Sequence, residues 1–189
     1  MKKWLFNPFV YIAGAKALAI GGVIMVVSSV IVSTHNGHFD GAMDVHFGAK
    51  TNLLQAICEP LVSWLSLVLA LYLFGRIASE SAIRFIDVAG TTALARWPML
   101  PISLLGLIPQ PDMPEPNKMT LEAIMKIATS PGVIIEGLLS LPLIVWFIAL
   151  LYNAYSVSAN LKGSKAVWSF IGGLVAAEIV SKVVLYLAF

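Results

Sequence analysis

The sequence predicts an all-α, polytopic membrane protein, and two observations support that prediction. Of the 189 residues, 59% are hydrophobic and only 12% are charged, and the mean hydropathy is +0.88. Soluble domains carry about 25% charged residues. The apolar residues also occur in long blocks rather than at amphipathic spacing, which is typical of helices that contact lipid on most sides.

Five of these blocks are long enough to cross a bilayer, since a spanning helix needs about 20 mostly apolar residues. The predicted spans, all within one domain of residues 1–189, are 17–33, 53–74, 83–107, 133–155 and 166–187. Pro98 and Pro101 break the third span. Before the fourth span, Thr120 can cap a short amphipathic helix. We therefore expect a bundle of five transmembrane helices with a short amphipathic helix on the outer surface.

The distribution of basic residues predicts the orientation of the bundle, because cytoplasmic loops are enriched in Lys and Arg. With the N-terminus inside, the cytoplasmic side would carry Lys2, Lys3, Arg76, Arg84, Lys162 and Lys165. The outer side would carry Lys50, Lys118 and Lys126. This asymmetry favours a cytoplasmic N-terminus and an outer C-terminus.

Several functional classes find no support in the sequence. The net charge of +2 is too small and scattered to indicate nucleic-acid binding. The single cysteine, Cys58, excludes an internal disulfide and a CxxC motif. No GxSxG elbow, P-loop or dinucleotide fingerprint is present. We expect a protein that is not an enzyme and that has no organic cofactor.

In the middle of the chain, a Gly-basic turn ends the second span at Gly75 and Arg76, a Ser-acidic step follows at Ser79 and Glu80, and the third span contains Gly90 and Pro98. This pattern resembles that of bacterial members of the Yip family of membrane proteins. Further similarity lies in Asn7-Pro8-Phe9, in Trp146 and in the polar turn 160–165. The resemblance implies a five-span protein of the bacterial inner (cytoplasmic) membrane and implies no known active site.

All three histidines lie within twelve residues of the loop that follows the first span. The candidate ligands for a divalent metal in this loop are His35, His38, His46, Asp40 and Asp44. Imidazole and carboxylate groups are the ligands of zinc-type sites. The alternative interpretation is a hydrated turn, because Asn36-Gly37 and Asp40-Gly41 are ordinary turn sequences.

Charged residues within spans form a second candidate site, since ionisable groups in a membrane are commonly functional. These residues are Glu59, Asp87, Arg96, Glu178 and Lys182. Glu178 and Lys182 are spaced to pair along one helix. The set could line a polar seam between helices, or each residue could form a structural hydrogen-bonding centre.

Small residues on the last span predict a close contact between helices. They are Ser169, Gly173, Ala177 and Ser181, at intervals of four residues. Packing surfaces of this kind favour an adaptor or assembly partner for other membrane proteins in the lipid bilayer, or a homo-oligomer. Two alternatives remain open: a small ion or solute transporter or channel that uses the intramembrane carboxylates, and a metal-binding protein that acts through the histidine loop.

Overall fold

The computed structural model describes residues 2–48, 50–109, 111 and 120–189 and is mostly helical in these ranges. The helices are α1 (Lys2–Phe6), α2 (Gly14–Thr34), α3 (Leu53–Ala78), α4 (Phe85–Ala95), α5 (Met99–Ser103), α6 (Leu121–Ala128), α7 (Pro131–Ser158) and α8 (Gly163–Ala188). Short 3₁₀ helices cover Pro8–Val10 and Leu104–Leu107. This architecture confirms the prediction of an all-α, polytopic membrane protein.

Four of these helices, α2, α3, α7 and α8, are long and apolar enough to cross a membrane. They exceed the predicted spans by one to a few residues at most of their ends. The predicted third span is not one helix. It divides into α4, α5 and the 3₁₀ helix Leu104–Leu107, because α4 ends at Ala95 with Arg96 as its C-cap, and Pro98 is the N-cap of α5.

The amphipathic helix predicted before the fourth span is α6. The Thr120 hydroxyl oxygen accepts a hydrogen bond from the Ala123 amide at 3.2 Å, which is the N-cap that the sequence predicts. Leu121 and Met125 are exposed in the isolated chain. An apolar face without a protein partner is typical of a helix that lies in the membrane interface.

Glycines set the closest approach between helices in the bundle. A Cβ atom on Gly90 of α4 would lie 2.1 Å from the Gly14 carbonyl oxygen, and one on Gly21 of α2 would lie 2.3 Å from the Ala93 carbonyl carbon. No side chain fits at either position, so α2 and α4 pack backbone to backbone. Gly90, in the middle of α4, therefore has a packing role.

Helix α1 and the 3₁₀ helix Pro8–Val10 pack against α7. The Trp146 indole donates a hydrogen bond to the Leu5 carbonyl oxygen at 3.1 Å, and the Asn153 amide donates to the Phe6 carbonyl oxygen at 2.9 Å. The N-terminal segment is therefore held along the side of a spanning helix.

The connections divide the bundle into two ends. At the first end, which we call the loop side, α2 and α8 end, α3 and α7 begin, and the loop 35–52 joins α2 to α3. At the second end, which we call the turn side, α3 and α7 end, α4 and α8 begin, and short connections join the helices.

Candidate functional site

The histidine-containing loop folds into the helix bundle. Strands β1 (Gly37–His38) and β2 (His46–Phe47) pair in an antiparallel hairpin, with His38 opposite His46. Between the strands, Phe39 and Ala42 are fully buried. The interpretation of this loop as a hydrated turn is therefore wrong for its central residues, which belong to the core.

Glu59 on α3 binds the first half of this loop. Its Oε1 atom accepts hydrogen bonds from Nδ1 of His38 at 2.8 Å and from the side-chain amide of Gln55 at 2.9 Å. Its Oε2 atom accepts from the Phe39 backbone N–H at 2.8 Å. Glu59 is only 3% exposed. Three donors at a buried carboxylate provide the compensation that burying such a charge requires.

The last turns of α8 bind the second half of the loop. The Ala42 N–H donates to the Ser181 hydroxyl oxygen at 3.0 Å, and the Met43 N–H donates to Oε2 of Glu178 at 3.1 Å. Lys182 forms ion pairs with Glu178, at 3.3 Å, and with Asp44 of the loop. The Glu178–Lys182 pair expected along α8 is thus also a binding site for the loop backbone.

Arg96, at the break after α4, completes the cluster. Its guanidinium is 1% exposed, donates to the Ala42 carbonyl oxygen at 3.4 Å and lies 5.7 Å from the ring centre of Phe147. A Cβ atom on Gly41 would lie 2.7 Å from Oε1 of Glu178, so a side chain there would displace the Glu178 carboxylate. We call the residues that hold the loop (Glu59, Arg96, Glu178, Ser181 and Lys182) the loop-side cluster.

Asp87 was predicted to belong with the other intramembrane charged residues, but it lies at the turn side. Its carboxylate is 3.6 Å from Nε of Arg84, whose side chain is 74% exposed. Its backbone carbonyl accepts from the Ser158 hydroxyl at 3.3 Å. The five predicted intramembrane charges therefore do not form one seam: four hold the loop and the fifth is an interfacial pair.

The five candidate metal ligands contact different partners instead of gathering at one point. Nδ1 of His35 lies 3.0 Å from the Ile31 carbonyl oxygen. His38 binds Glu59, and Asp44 binds Lys182. His46 pairs with Asp40 at 3.1 Å and stacks on His38 with 5.1 Å between ring centres. Within the described ranges, no three His, Cys, Asp or Glu residues gather in a geometry that could hold a metal ion.

Two opposing effects set the pKa of the Asp40 carboxyl in the loop. Burial alone would raise the pKa of this carboxyl, but the hydrogen bond and the charge of His46 outweigh that effect. The pKa of Asp40 therefore lies below its usual value of 3.8. Asp40 is ionised at neutral pH.

The stripe of small residues on α8 faces α3 within the same chain. A Cβ atom on Gly173 would lie 2.9 Å from Cδ2 of Leu71, and Ala177 and Ser181 are fully buried. Ser169 accepts a hydrogen bond from the Tyr155 hydroxyl at 2.8 Å. The stripe is therefore occupied inside the protein and does not present a surface to another protein.

A cavity of about 390 Å³ lies beside the cluster, between the start of α3 and the end of α8. Polar groups of Asp40, His46 and Glu59 line one part of it, and Leu185 and Tyr186 line another. Sequence reasoning missed Gln55, which lies one turn before Glu59, and the buried Phe39. The available signal was the presence of a large apolar side chain, Phe39, among the polar residues of the loop.

Comparison of this chain with protein-family models, curated proteins and solved structures finds no match.

Proposed function

We propose that this chain is a non-enzymatic, multi-pass inner-membrane protein of Yip type that acts as an adaptor or assembly partner for other membrane proteins. The observation that carries the proposal is the surface of α7. Only 11% of its most apolar stretch is buried, and its fully buried residues all lie between Phe147 and Tyr155. The half of α7 from Pro131 to Trp146 therefore contributes no buried residue to its own bundle.

This half of α7 has the features that favour contact with another transmembrane helix. A Cβ atom on Gly137 would meet nothing within 4 Å, and Leu138 and Leu141, 71% and 67% exposed, flank the open position. Small residues allow helix backbones to approach closely in lipid. On α8 the equivalent small residues are filled by α3, whereas on α7 the space is open. The proposed occupant is a transmembrane helix of another protein.

The interactions of the charged residues favour an adaptor over a transporter. The loop-side charges bind the loop, and Asp87 lies at the opposite end. Between them, hydroxyl groups such as Ser66 and Thr92 donate to carbonyl oxygens of their own helices. Conduction requires a continuous polar route, and the described residues do not provide one. Proteoliposome flux that fell on Glu59→Gln or Glu178→Gln would instead support transport.

Site-specific photocrosslinking in native membranes tests the adaptor proposal. A crosslinking residue at Leu138 should form an adduct with one reproducible protein. The control position is Ile179 on α8, which is 60% exposed and should form only lipid adducts. Equal adducts at both positions, or adducts with a second copy of this chain only, would contradict the proposal.

Matched glycine variants separate a specific contact from general exposure. Gly137→Leu fills the open position on α7 and should abolish the Leu138 adduct. Gly22 on α2 also has nothing within 4 Å of a Cβ atom, so Gly22→Leu is the matched control and should leave the adduct intact. An adduct that survived Gly137→Leu would place the partner elsewhere.

The positive-inside rule supports a cytoplasmic turn side, since Arg76, Arg84, Lys162 and Lys165 lie near that end. Single cysteines in a Cys58→Ser background test this orientation. Ser81→Cys at the turn side should be protected from an impermeant reagent in intact cells, and Lys50→Cys at the loop side should react. The reverse pattern would invert the proposed orientation.

A further inference from the structure

Pro142 lies inside α7, in the half of the helix that contributes no buried residue to the bundle. Proline has no backbone N–H, so it cannot donate the hydrogen bond that an α-helix directs to the carbonyl four residues earlier. In α7 that carbonyl belongs to Leu138. Pro142, Leu138 and Leu141 are all exposed. The freed carbonyl oxygen therefore lies on a part of α7 that the bundle leaves open.

No side chain in the described ranges replaces the missing donor at Leu138. The nearby Ser140 hydroxyl donates instead to the Gly137 carbonyl oxygen at 3.2 Å. The 28 residues of α7 extend over about 42 Å, whereas the hydrocarbon core is about 30 Å thick. With the middle of α7 at the bilayer centre, Leu138 lies about 10 Å from that centre, inside the core. A carbonyl without a donor is unfavourable there, because no water is present to bind it.

Pro60, the corresponding proline inside α3, has the opposite surroundings. It removes the helical donor for the Ala56 carbonyl, and both Pro60 and Ala56 are buried in the bundle. The backbone that Pro60 opens is therefore covered by the protein itself, as is usual for irregular backbone at membrane depth. The backbone that Pro142 opens has no such cover within the described residues. A donor for the Leu138 carbonyl has to come from another molecule.

An apolar cavity of about 380 Å³ adjoins Pro142. Its walls include Leu5 and Phe6 of α1 and Trp146 of α7. The cavity begins one helical turn after Leu138 and can accept a large apolar side chain from a helix that packs along α7. A lipid acyl chain could fill the same space, but it carries no donor for the carbonyl. The two features together favour a protein helix over lipid.

We propose that the partner helix on α7 carries a hydroxyl or amide side chain that donates a hydrogen bond to the Leu138 carbonyl oxygen. A large apolar side chain about two turns away on the partner occupies the cavity beside Pro142. Serine, threonine, asparagine and glutamine make hydrogen bonds of this kind between transmembrane helices. This inference rests on the proposed adaptor function, because it specifies the chemistry of the partner that α7 binds.

Two synthetic transmembrane peptides in proteoliposomes test the missing donor. Both are leucine-rich and carry a central phenylalanine for the cavity, and they differ only in having serine or alanine two turns from the centre. Energy transfer to the labelled peptide from a label on Lys50→Cys, in the full chain with Cys58→Ser, measures binding. We expect the serine peptide to bind about fivefold more tightly than the alanine peptide, since hydrogen bonds between transmembrane helices contribute roughly that factor.

Pro142→Ala ties this preference to the freed carbonyl. Alanine restores the backbone donor for Leu138, so the serine and alanine peptides should bind equally. A change in the curvature of α7 would affect both peptides, and the comparison between them removes that effect. Pro131→Ala is the matched control and should leave the preference unchanged, because a proline in the first turn breaks no helical hydrogen bond. Equal binding of the two peptides by the wild-type chain, or a serine preference that survives Pro142→Ala, would overturn the proposal.

The photocrosslink from Leu138 in native membranes separates this inference from the proposed function. Pro142→Ala should lower the yield of that adduct, and Pro131→Ala should not. Absence of a protein adduct in the wild-type chain would contradict the adaptor function and this inference with it. An adduct of equal yield in Pro142→Ala would leave the adaptor function intact and overturn only the proposed donor.

Discussion

Glu59 at the loop side and Asp87 at the turn side are both carboxylates that the sequence places inside spans, yet their surroundings differ. Glu59 is buried and accepts three hydrogen bonds, two of them from the loop. Asp87 is partly exposed and faces one exposed arginine at 3.6 Å. A carboxylate therefore holds a distant segment in place at one end and forms an ordinary interfacial pair at the other. Burial and the number of donors decide which role applies.

The largest expected effect comes from removing these two carboxylates in turn. Glu59→Ala leaves His38, Gln55 and the Phe39 amide without their acceptor and should lower the free energy of unfolding by about 3 kcal/mol. Asp87→Ala should lower it by about 1 kcal/mol or less, since exposed pairs contribute little. Unfolding in mixed micelles measures both values. Equal losses would remove the distinction between the two ends.

The apolar blocks, the break near Pro98 and the Thr120 cap predict most of the fold, because each signal lies within a few residues of the element it specifies. The loop-side cluster could not be predicted in the same way. The bonds from Phe39 to Glu59, from Ala42 to Ser181 and from Met43 to Glu178 link residues 20, 139 and 135 positions apart. Sequence spacing indicates which residues share a helix face, but it does not indicate which loop backbone a charged group will bind. For the same reason, the histidine loop and the intramembrane charges appear in the sequence as two separate candidate sites.

Glycine substitutions should give the next largest difference. In Gly41→Ala the new methyl group would meet the Glu178 carboxylate, Asp44 and Lys182, so we expect a loss of about 2 kcal/mol. Gly22→Ala on α2 has open space and should be neutral or slightly stabilising, because alanine is the better helix former. A Gly41→Ala protein as stable as Gly22→Ala would mean that the loop is not packed on α8.

Two serines on the same stripe of α8 give a finer comparison. Ser181→Ala removes the acceptor of the buried Ala42 amide and should cost about 1–2 kcal/mol. Ser169, near the turn side, accepts from the Tyr155 hydroxyl at a half-buried position, so Ser169→Ala should cost less than about 1 kcal/mol. The same unfolding titration ranks them, and a larger loss for Ser169→Ala would contradict this order.

The smallest expected effect is the pH dependence of the Asp40–His46 pair. Because the pKa of Asp40 is lower in the folded protein than its usual value of 3.8, the stability it contributes is complete above that value. That stability is lost as the pH falls through the lower, folded pKa. The difference in melting temperature between the wild-type protein and Asp40→Asn should therefore shrink as the pH falls from about 5 toward 3. A difference that grew over this range would have the wrong sign.

Hydrogen exchange tests most directly the central claim that the loop is part of the membrane bundle. The amides of Phe39, Ala42 and Met43 donate to Glu59, Ser181 and Glu178, whereas Glu80 and Ala82 are exposed in the connection at the turn side. In lipid nanodiscs, we expect the three loop amides to exchange at least about a hundredfold more slowly than the amides of Glu80 and Ala82. Glu59→Ala should remove the protection of Phe39 first. Exchange of the three loop amides at the rate of the Glu80 and Ala82 amides would contradict the claim.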